Sequence, residues 1–325
     1  MQRKSFCLNL LIFLSFSFAF SQPRIEVCGE EYLIYVEIPD EDTIRLVSEP
    51  DLYTEGWDSL SSIHFWREAM NTPPTKSLVS RAKDRKILGR IPYSIYRKKR
   101  YRSQRRNFRD SLKVAWGIPD EEPIYVTQGR AHYYLIEDAL PQIDKSIPIF
   151  LEEGVDPWYA QAILLIESPG KVRRSRAGAY GPYQLMKTVG RQFGLNINRE
   201  IDERADLSKS ARATARFLRE VVIPNTIRLV ERRKLPYVEE DLWFKLLVLH
   251  VYHAGAGNVS GALRKIPPSL KGKDLIIRLW KTKSRRFRNA SQNYSQIVLA
   301  AKLELEELIY EKEGNLVSPY FFQSY

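Results

Sequence analysis

From about residue 136 onward the chain alternates long helical apolar periods with short loops marked by glycine and proline. Asp156-Pro157 is a helix start, an N-cap acid followed by proline at the first helical position. Tyr159, Ile163 and Ile166 follow at i, i+4 and i+7, which predicts one face turned to a core. Ser208 is predicted to cap a helix carrying Ala211, Ala215, Leu218 and Val222 and ended by Pro224. Asp241 to Ala254 reads as another, with Leu242, Leu246 and Leu249 on one side and Gly255 as its stop. Ser295 to Glu311 reads as a third long helix. The pattern predicts an all-α body over 136–310.

The preceding stretch is mixed. Glu31 to Glu37 is rich in β-formers, and Ile124-Tyr125-Val126-Thr127 lies between Pro123 and Gly129, so both read as strands. Leu60 to Met70 reads as a helix stopped by Asn71-Thr72-Pro73-Pro74, and Ser80 to Leu88 as a second. No internal repeat or low-complexity linker appears. The expected fold class is mainly α: a helical domain at 136–310 preceded by a smaller mixed α/β module at 22–135, with a short tail at 311–325.

The first residues set the expected compartment. Gln2-Arg3-Lys4 is a basic start, Ser5 to Phe20 is apolar, and Ala19 and Ser21 stand where a signal peptidase reads small residues. The expectation is a signal peptide over 1–21, cleaved before Gln22, and an exported protein of the periplasm or cell envelope. Cys7 then leaves with the signal and Cys28 is alone, so no internal disulfide is expected. The formal net charge of +12 becomes +10 without Arg3 and Lys4, since residues 1–21 hold no acid. A basic exported chain suggests a polyanionic partner. Its densest run extends from Arg97 to Arg109, interleaved with Tyr101 and Phe108. Export argues against nucleic acid, which leaves a solvated face or contact with an anionic wall or membrane surface.

Candidate chemistry centres on Glu167, which directly follows Ala162-Ile163-Leu164-Leu165-Ile166. A carboxylate partly withdrawn from water has its charged form disfavoured and can serve as a general acid. Two glycine-rich segments accompany it: Gly178-Ala179-Tyr180-Gly181-Pro182-Tyr183-Gln184-Leu185-Met186, and Val251-Tyr252-His253-Ala254-Gly255-Ala256-Gly257-Asn258. Glycine lets backbone approach a ligand, and Gln, Asn and Tyr supply the donors and stacking faces that sugars need. Of the four histidines, His250 and His253 are three apart on a helix, but no third ligand accompanies them and no metal is expected.

In ordered blocks across about half the chain, the sequence resembles the lytic transglycosylases with a soluble-lytic-transglycosylase, goose-lysozyme-like catalytic domain, nearest the membrane-bound lytic transglycosylase D branch. Glu167-Ser168 matches the family's Glu-Ser pair. Ser175, Gly178, Ala179, Gly181, Gln184 and Met186 match Ser-x-x-Gly-Ala-x-Gly-x-x-Gln-x-Met. Asp202, Glu203, Arg204 and Asp206 match Asp-Glu-Arg-x-Asp; Val251 to Gly255 match Ala-Tyr-Asn-Ala-Gly; and Tyr294 is kept in a final block before a long helix. The chain departs at Pro169 to Arg174, a shorter and more basic loop, at His253 in place of Asn, at Lys187 in place of Pro and at Ala290 in place of an acid.

The resemblance implies a lysozyme-like catalytic domain, no cofactor, and peptidoglycan glycan strands as substrate. Glu167 would protonate the glycosidic oxygen between N-acetylmuramic acid and N-acetylglucosamine, then take the proton of the muramic acid C6 hydroxyl to leave a 1,6-anhydro end. Tyr252 would hydrogen-bond near Glu167, while Gln184 and the backbone around Met186 would grip acetamido sugars. Ser175, Gly178, His253 and Tyr294 would line the cleft. Two alternatives stay open: a hydrolytic muramidase, and a wall-binding or scaffold protein with a degenerate site.

Overall fold

The structure is a computed structural model that describes residues 33–36, 43–167, 169 and 171–313. The expected signal peptide, Cys7, Cys28 and all but the first residues of the tail lie outside the described residues. The described chain is mainly helical with a small sheet region near its N-terminal end. No helix among the described residues is long and apolar enough to cross a membrane.

Strands β1 (Leu33–Val36) and β2 (Ile44–Val47) form an antiparallel hairpin with Leu33 opposite Val47. The hairpin is docked by side chains that imitate a neighbouring strand. Val47 donates its backbone N–H to Gln161 Oε1 at 2.9 Å and accepts from Gln161 Nε2 at 2.8 Å. That pair of hydrogen bonds explains a buried amide inside an otherwise apolar helix, because a backbone group taken from water needs a partner. Arg45 ties the same strand to Asp144, with Nε 2.8 Å from Oδ1.

Helix α1 (Asp51–Thr54) leads to α2 (Ser61–Asn71), which buries Ile63, Phe65, Trp66, Ala69 and Met70. The expected helix over Ser80 to Leu88 is not formed. That stretch instead ends β3 (Lys76–Arg81), turns, and begins β4 (Ile87–Pro92). With β5 (Ile124–Gln128) they make an antiparallel sheet of order β4-β3-β5. Arg81 to Lys86 are helix formers, but Ser77, Leu78, Val79 and Ser80 are all buried, so β3 shows no period-two alternation, and tertiary burial outweighs propensity. Helices α3 (Tyr93–Arg97) and α4 (Arg102–Ala115) pack on this sheet. These helices and the turn between them carry the basic run, mostly on exposed positions, with Phe108 and Leu112 against a small cluster of Val79, Ile91 and Ile124.

Helix α5 (Ile136–Glu152) runs to α6 (Trp158–Glu167), where Asp156 Oδ1 accepts from the N–H of Trp158 at 2.8 Å. Every residue of α6 from Trp158 to Ile166 is buried, so the helix is an axis of the core. It is wrapped by α5, β2 and the last helix among the described residues, α13 (Asn289–Glu313). After α7 (Lys187–Gln192), α8 (Leu207–Phe217) is capped by Asp206, which accepts from Lys209 N at 2.8 Å, and not by Ser208. The helix also does not end at Pro224. A π-helical turn over Leu218–Val222 carries it into α9 (Ile223–Arg232), with Pro224 in the first turn. Widening the turn accommodates a residue with no N–H to give the ladder.

Helix α10 (Leu242–Ala254) is buried nearly all round and ends at Gly255, φ +79°. Helices α11 (Ala256–Leu263) and α12 (Gly272–Lys281) follow. Helix α13 begins at Asn289, six positions before the expected Ser295, because its first turns are polar yet buried. Gln292 Nε2 donates to the Trp280 carbonyl at 2.9 Å and Trp280 Nε1 to Ser295 Oγ at 2.7 Å. The apolar core runs without a break from Leu33 to Ile309, so β1, β2 and α2 fold around the same interior as the helical body.

Candidate active site

Helix α6 is apolar until its last residue, and burial of everything before it delivers Glu167 to the rim of the core. The Glu167 side chain is 19% exposed. Its Oε1 accepts a hydrogen bond from the Tyr294 hydroxyl of α13 at 2.9 Å. His253, near the end of α10, lies with Nδ1 4.0 Å from the same oxygen. The His253 and Tyr294 rings stack at 4.3 Å with 30° between planes, so each fixes the other beside the carboxylate.

From the other side the Tyr133 hydroxyl donates to the Glu167 carbonyl at 2.7 Å, fixing the backbone where the helix runs out of partners. No motif marks Tyr133 in the sequence. Burial pushes its phenol up, and the charge of Glu167 adds to that push. The same two causes raise Tyr252 and Tyr294 well above the ordinary tyrosine value.

Tyr252 takes a different role from the one the resemblance implies. Its hydroxyl donates to the Tyr183 carbonyl at 2.6 Å, and the hydroxyl on the carboxylate is that of Tyr294. Tyr252 therefore braces the turn at Tyr183.

That turn is built from the glycine-rich segment. Gly178 and Gly181 both take positive φ, +90° and +86°. A Cβ on Gly181 would lie 1.7 Å from the Arg204 carbonyl oxygen, so no larger residue fits. Arg204 is the hub beneath it, almost fully buried. Its Nε and Nη2 pair with Asp202 at 2.8 and 2.7 Å, and Nη1 donates to the carbonyls of Gly178 at 3.0 Å and Leu185 at 2.8 Å. One guanidinium thus ties the Asp202–Asp206 segment to both ends of the turn. Arg204 was visible as part of a motif, but its task depends on contacts across the fold.

Gln184 sits at φ +48° and donates Nε2 to the carbonyls of Arg173 at 2.8 Å and Gly181 at 2.9 Å. Its amide nitrogen clamps the loop after Glu167 to the turn. Ser175 is likewise a turn residue, its Oγ accepting from Ala179 N at 3.0 Å. Met186 stands exposed at the start of α7.

The basic loop is tied down by its arginines. Arg173 lies over the Tyr133 ring at 4.4 Å, and Arg174 lies over Tyr180 at 4.2 Å while pairing with Asp202 at 3.1 Å. His250 is packed away from the site, fully buried, with Nε2 2.8 Å from Ser295 Oγ. His64 and His132 are exposed elsewhere. No group of three or more His, Cys, Asp or Glu among the described residues is arranged to hold a metal.

Glu167, His253, Tyr294 and Tyr133 thus form one polar cluster at the end of a buried helix. Tyr252, Gln184, Ser175 and the two glycines build and brace the turn that follows it in the chain. No protein-family model matches the chain, and no curated protein matches it significantly.

Proposed function

We propose that this protein is an exported peptidoglycan lytic transglycosylase with a lysozyme-like catalytic domain and Glu167 as its catalytic acid and base. The observation that carries the reading is the seat of Glu167. It is a largely shielded carboxylate at the end of a buried apolar helix, held by one tyrosine hydroxyl and flanked by one imidazole. A glycan-cleaving site needs a group that gives and takes a proton at a fixed place, with water partly excluded. The chemistry follows in two steps. Glu167 gives its proton to the glycosidic oxygen as the C1–O bond breaks, and the neighbouring N-acetyl group of the sugar supports the cationic C1, as in substrate-assisted glycosidases. The carboxylate then takes the proton of the C6 hydroxyl as O6 bonds to C1, closing the 1,6-anhydro ring and restoring the acid.

One carboxylate suffices for this cycle because the nucleophile is part of the substrate. The cluster around Glu167 fits that economy: Tyr294 and His253 orient a single acid, and the Tyr252-braced turn offers backbone for acetamido sugars. The exposed cations of α3 and α4 support docking to an anionic wall or membrane surface.

The test is digestion of purified peptidoglycan by the mature chain and by Glu167→Gln, with muropeptides read by mass spectrometry. Anhydro-muropeptides from the wild type alone are expected. Reducing ends would make it a muramidase, and glycan binding without release would make it a scaffold. Full activity in Glu167→Gln would overturn the assignment of that residue.

A further inference from the structure

The β3–β4 hairpin turns at Ala82–Lys86, and Arg85 adopts a left-handed backbone there, φ +65°. Residues with a Cβ adopt that region uncommonly, and such outliers gather at ligand clamps. The Arg85 guanidinium lies over Tyr125 at 4.5 Å, Phe65 at 5.1 Å and Trp66 at 5.8 Å, and donates to Asn293 Oδ1 at 3.3 Å. Three rings and an amide hold the plane of the cation. Among the described residues no carboxylate pairs with it, and burial lowers its pKa from the ordinary arginine value. A shielded cation without a counter-ion is costly unless an anion comes to it.

Arg85 lines a cleft of about 770 Å³ between the three-stranded sheet and helices α2, α12 and α13. Arg130, Lys281 and Lys283 line it too. Asp84, the one acid on its wall among the described residues, is already taken by Arg81, whose Nε is 3.1 Å from Oδ1. Trp66, on the same wall, keeps a buried indole N–H with no acceptor among the described residues. The cleft and the candidate active site share the segments that build them. Asn293 touches Arg85, and the next residue of α13, Tyr294, holds Glu167. Arg130 precedes by three positions Tyr133, whose hydroxyl meets the Glu167 carbonyl.

We propose that this cleft is a carboxylate-binding subsite for the peptide branches of the glycan substrate, with Arg85 as its recognition residue. The proposal rests on the reading of the protein as a peptidoglycan-cutting enzyme. Carboxylate fits because a guanidinium presents paired donors in a rigid fork, and the surrounding lysines favour an anion without filling the fork. The glycan around the scissile bond offers hydroxyls and acetamides, whereas the branches bring the carboxylates. A branch held here would position the strand beside Glu167 and favour peptide-bearing over bare glycan.

The test uses the full mature chain and a free stem tetrapeptide released from peptidoglycan by an amidase. Calorimetry is expected to show one saturable site in the wild type, weakened about tenfold or more in Arg85→Gln and partly restored in Arg85→Lys. Lys281→Glu and Lys283→Glu, at exposed positions, should also weaken it and guard against a folding defect at Arg85. In turnover, Arg85→Gln should lose about tenfold more on intact sacculi than on strands stripped of peptides. Absence of peptide binding in the wild type, equal affinity across the variants, or tighter binding of inorganic phosphate than of the peptide would overturn the proposal. Peptide binding needs no turnover, so a chain that binds the peptide but cuts no glycan would fail as an enzyme and keep this site. Anhydro products without peptide binding would do the reverse.

Discussion

Tyr294 donates its hydroxyl to Oε1 of Glu167 at 2.9 Å across 127 positions of sequence, while Tyr252 turns its own hydroxyl away to the Tyr183 carbonyl. Two tyrosines near one carboxylate, Tyr294 buried and Tyr252 half-buried, therefore do different work. Tyr294→Phe removes a hydrogen bond to a group that is charged in half of the proposed cycle, worth about 1.5–3 kcal/mol, or roughly ten- to a hundredfold in kcat. Tyr252→Phe leaves the carboxylate's partner in place and should act mainly on the stability of the Gly181–Gln184 turn. Turnover and urea unfolding of both variants decide this; a larger kcat loss in Tyr252→Phe would reverse the two assignments.

The glycine turn offers a comparison within one loop. Gly181→Ala meets two penalties, a positive φ and a Cβ 1.7 Å from the Arg204 carbonyl oxygen. Gly178→Ala meets the same backbone penalty, but nothing lies within 4 Å of its Cβ. The backbone term alone is about 1–2 kcal/mol, so Gly178→Ala should stay folded with a loss of that size. Gly181→Ala should lose roughly 3 kcal/mol or more, since the Arg204 backbone must move and draw its pair with Asp202 along. Denaturant midpoints for the two variants provide the measurement, and equal losses would count against the close approach.

Much of the frame was legible because burial in it is simple. Helix α6 and helix α10 are apolar runs bounded by Asp156-Pro157 and by Gly255, and local rules place their ends within a residue or two. What was not legible has a common cause: contacts from far along the chain overrule the local pattern. Leu78 and Val79 are both buried, so β3 shows no alternation, and the charged residues after it read as a helix. The start of α13 has no apolar period because polar Gln292 and Ser295 face Trp280 and His250 inside the protein. Glu167 stood out through its place after an apolar run. Tyr133 and Arg85 carry no motif; their roles come from where α6, α13 and the hairpin meet.

His250 gives the fold a built-in sensitivity to acid. It is fully buried, and burial lowers its pKa from 6.5 to about 3, with the nearby His253 pushing the same way. Below pH 6.5 the unfolded chain takes up a proton that the folded chain refuses until about pH 3, so stability falls as pH falls across that window. The whole drop from this one residue is on the order of 5 kcal/mol at most. Glu49 works against it: burial raises its carboxyl from 4.5 to about 7, which makes the folded state lose stability as pH rises between those values. The net slope of the wild type mixes the two, so the decisive quantity is a difference. In His250→Gln the fall in unfolding free energy between pH 6.5 and 3 should be shallower than in the wild type, measured by urea unfolding at closely spaced pH. Parallel curves for the two proteins would show that the imidazole is protonated as readily in the folded chain as in the unfolded one.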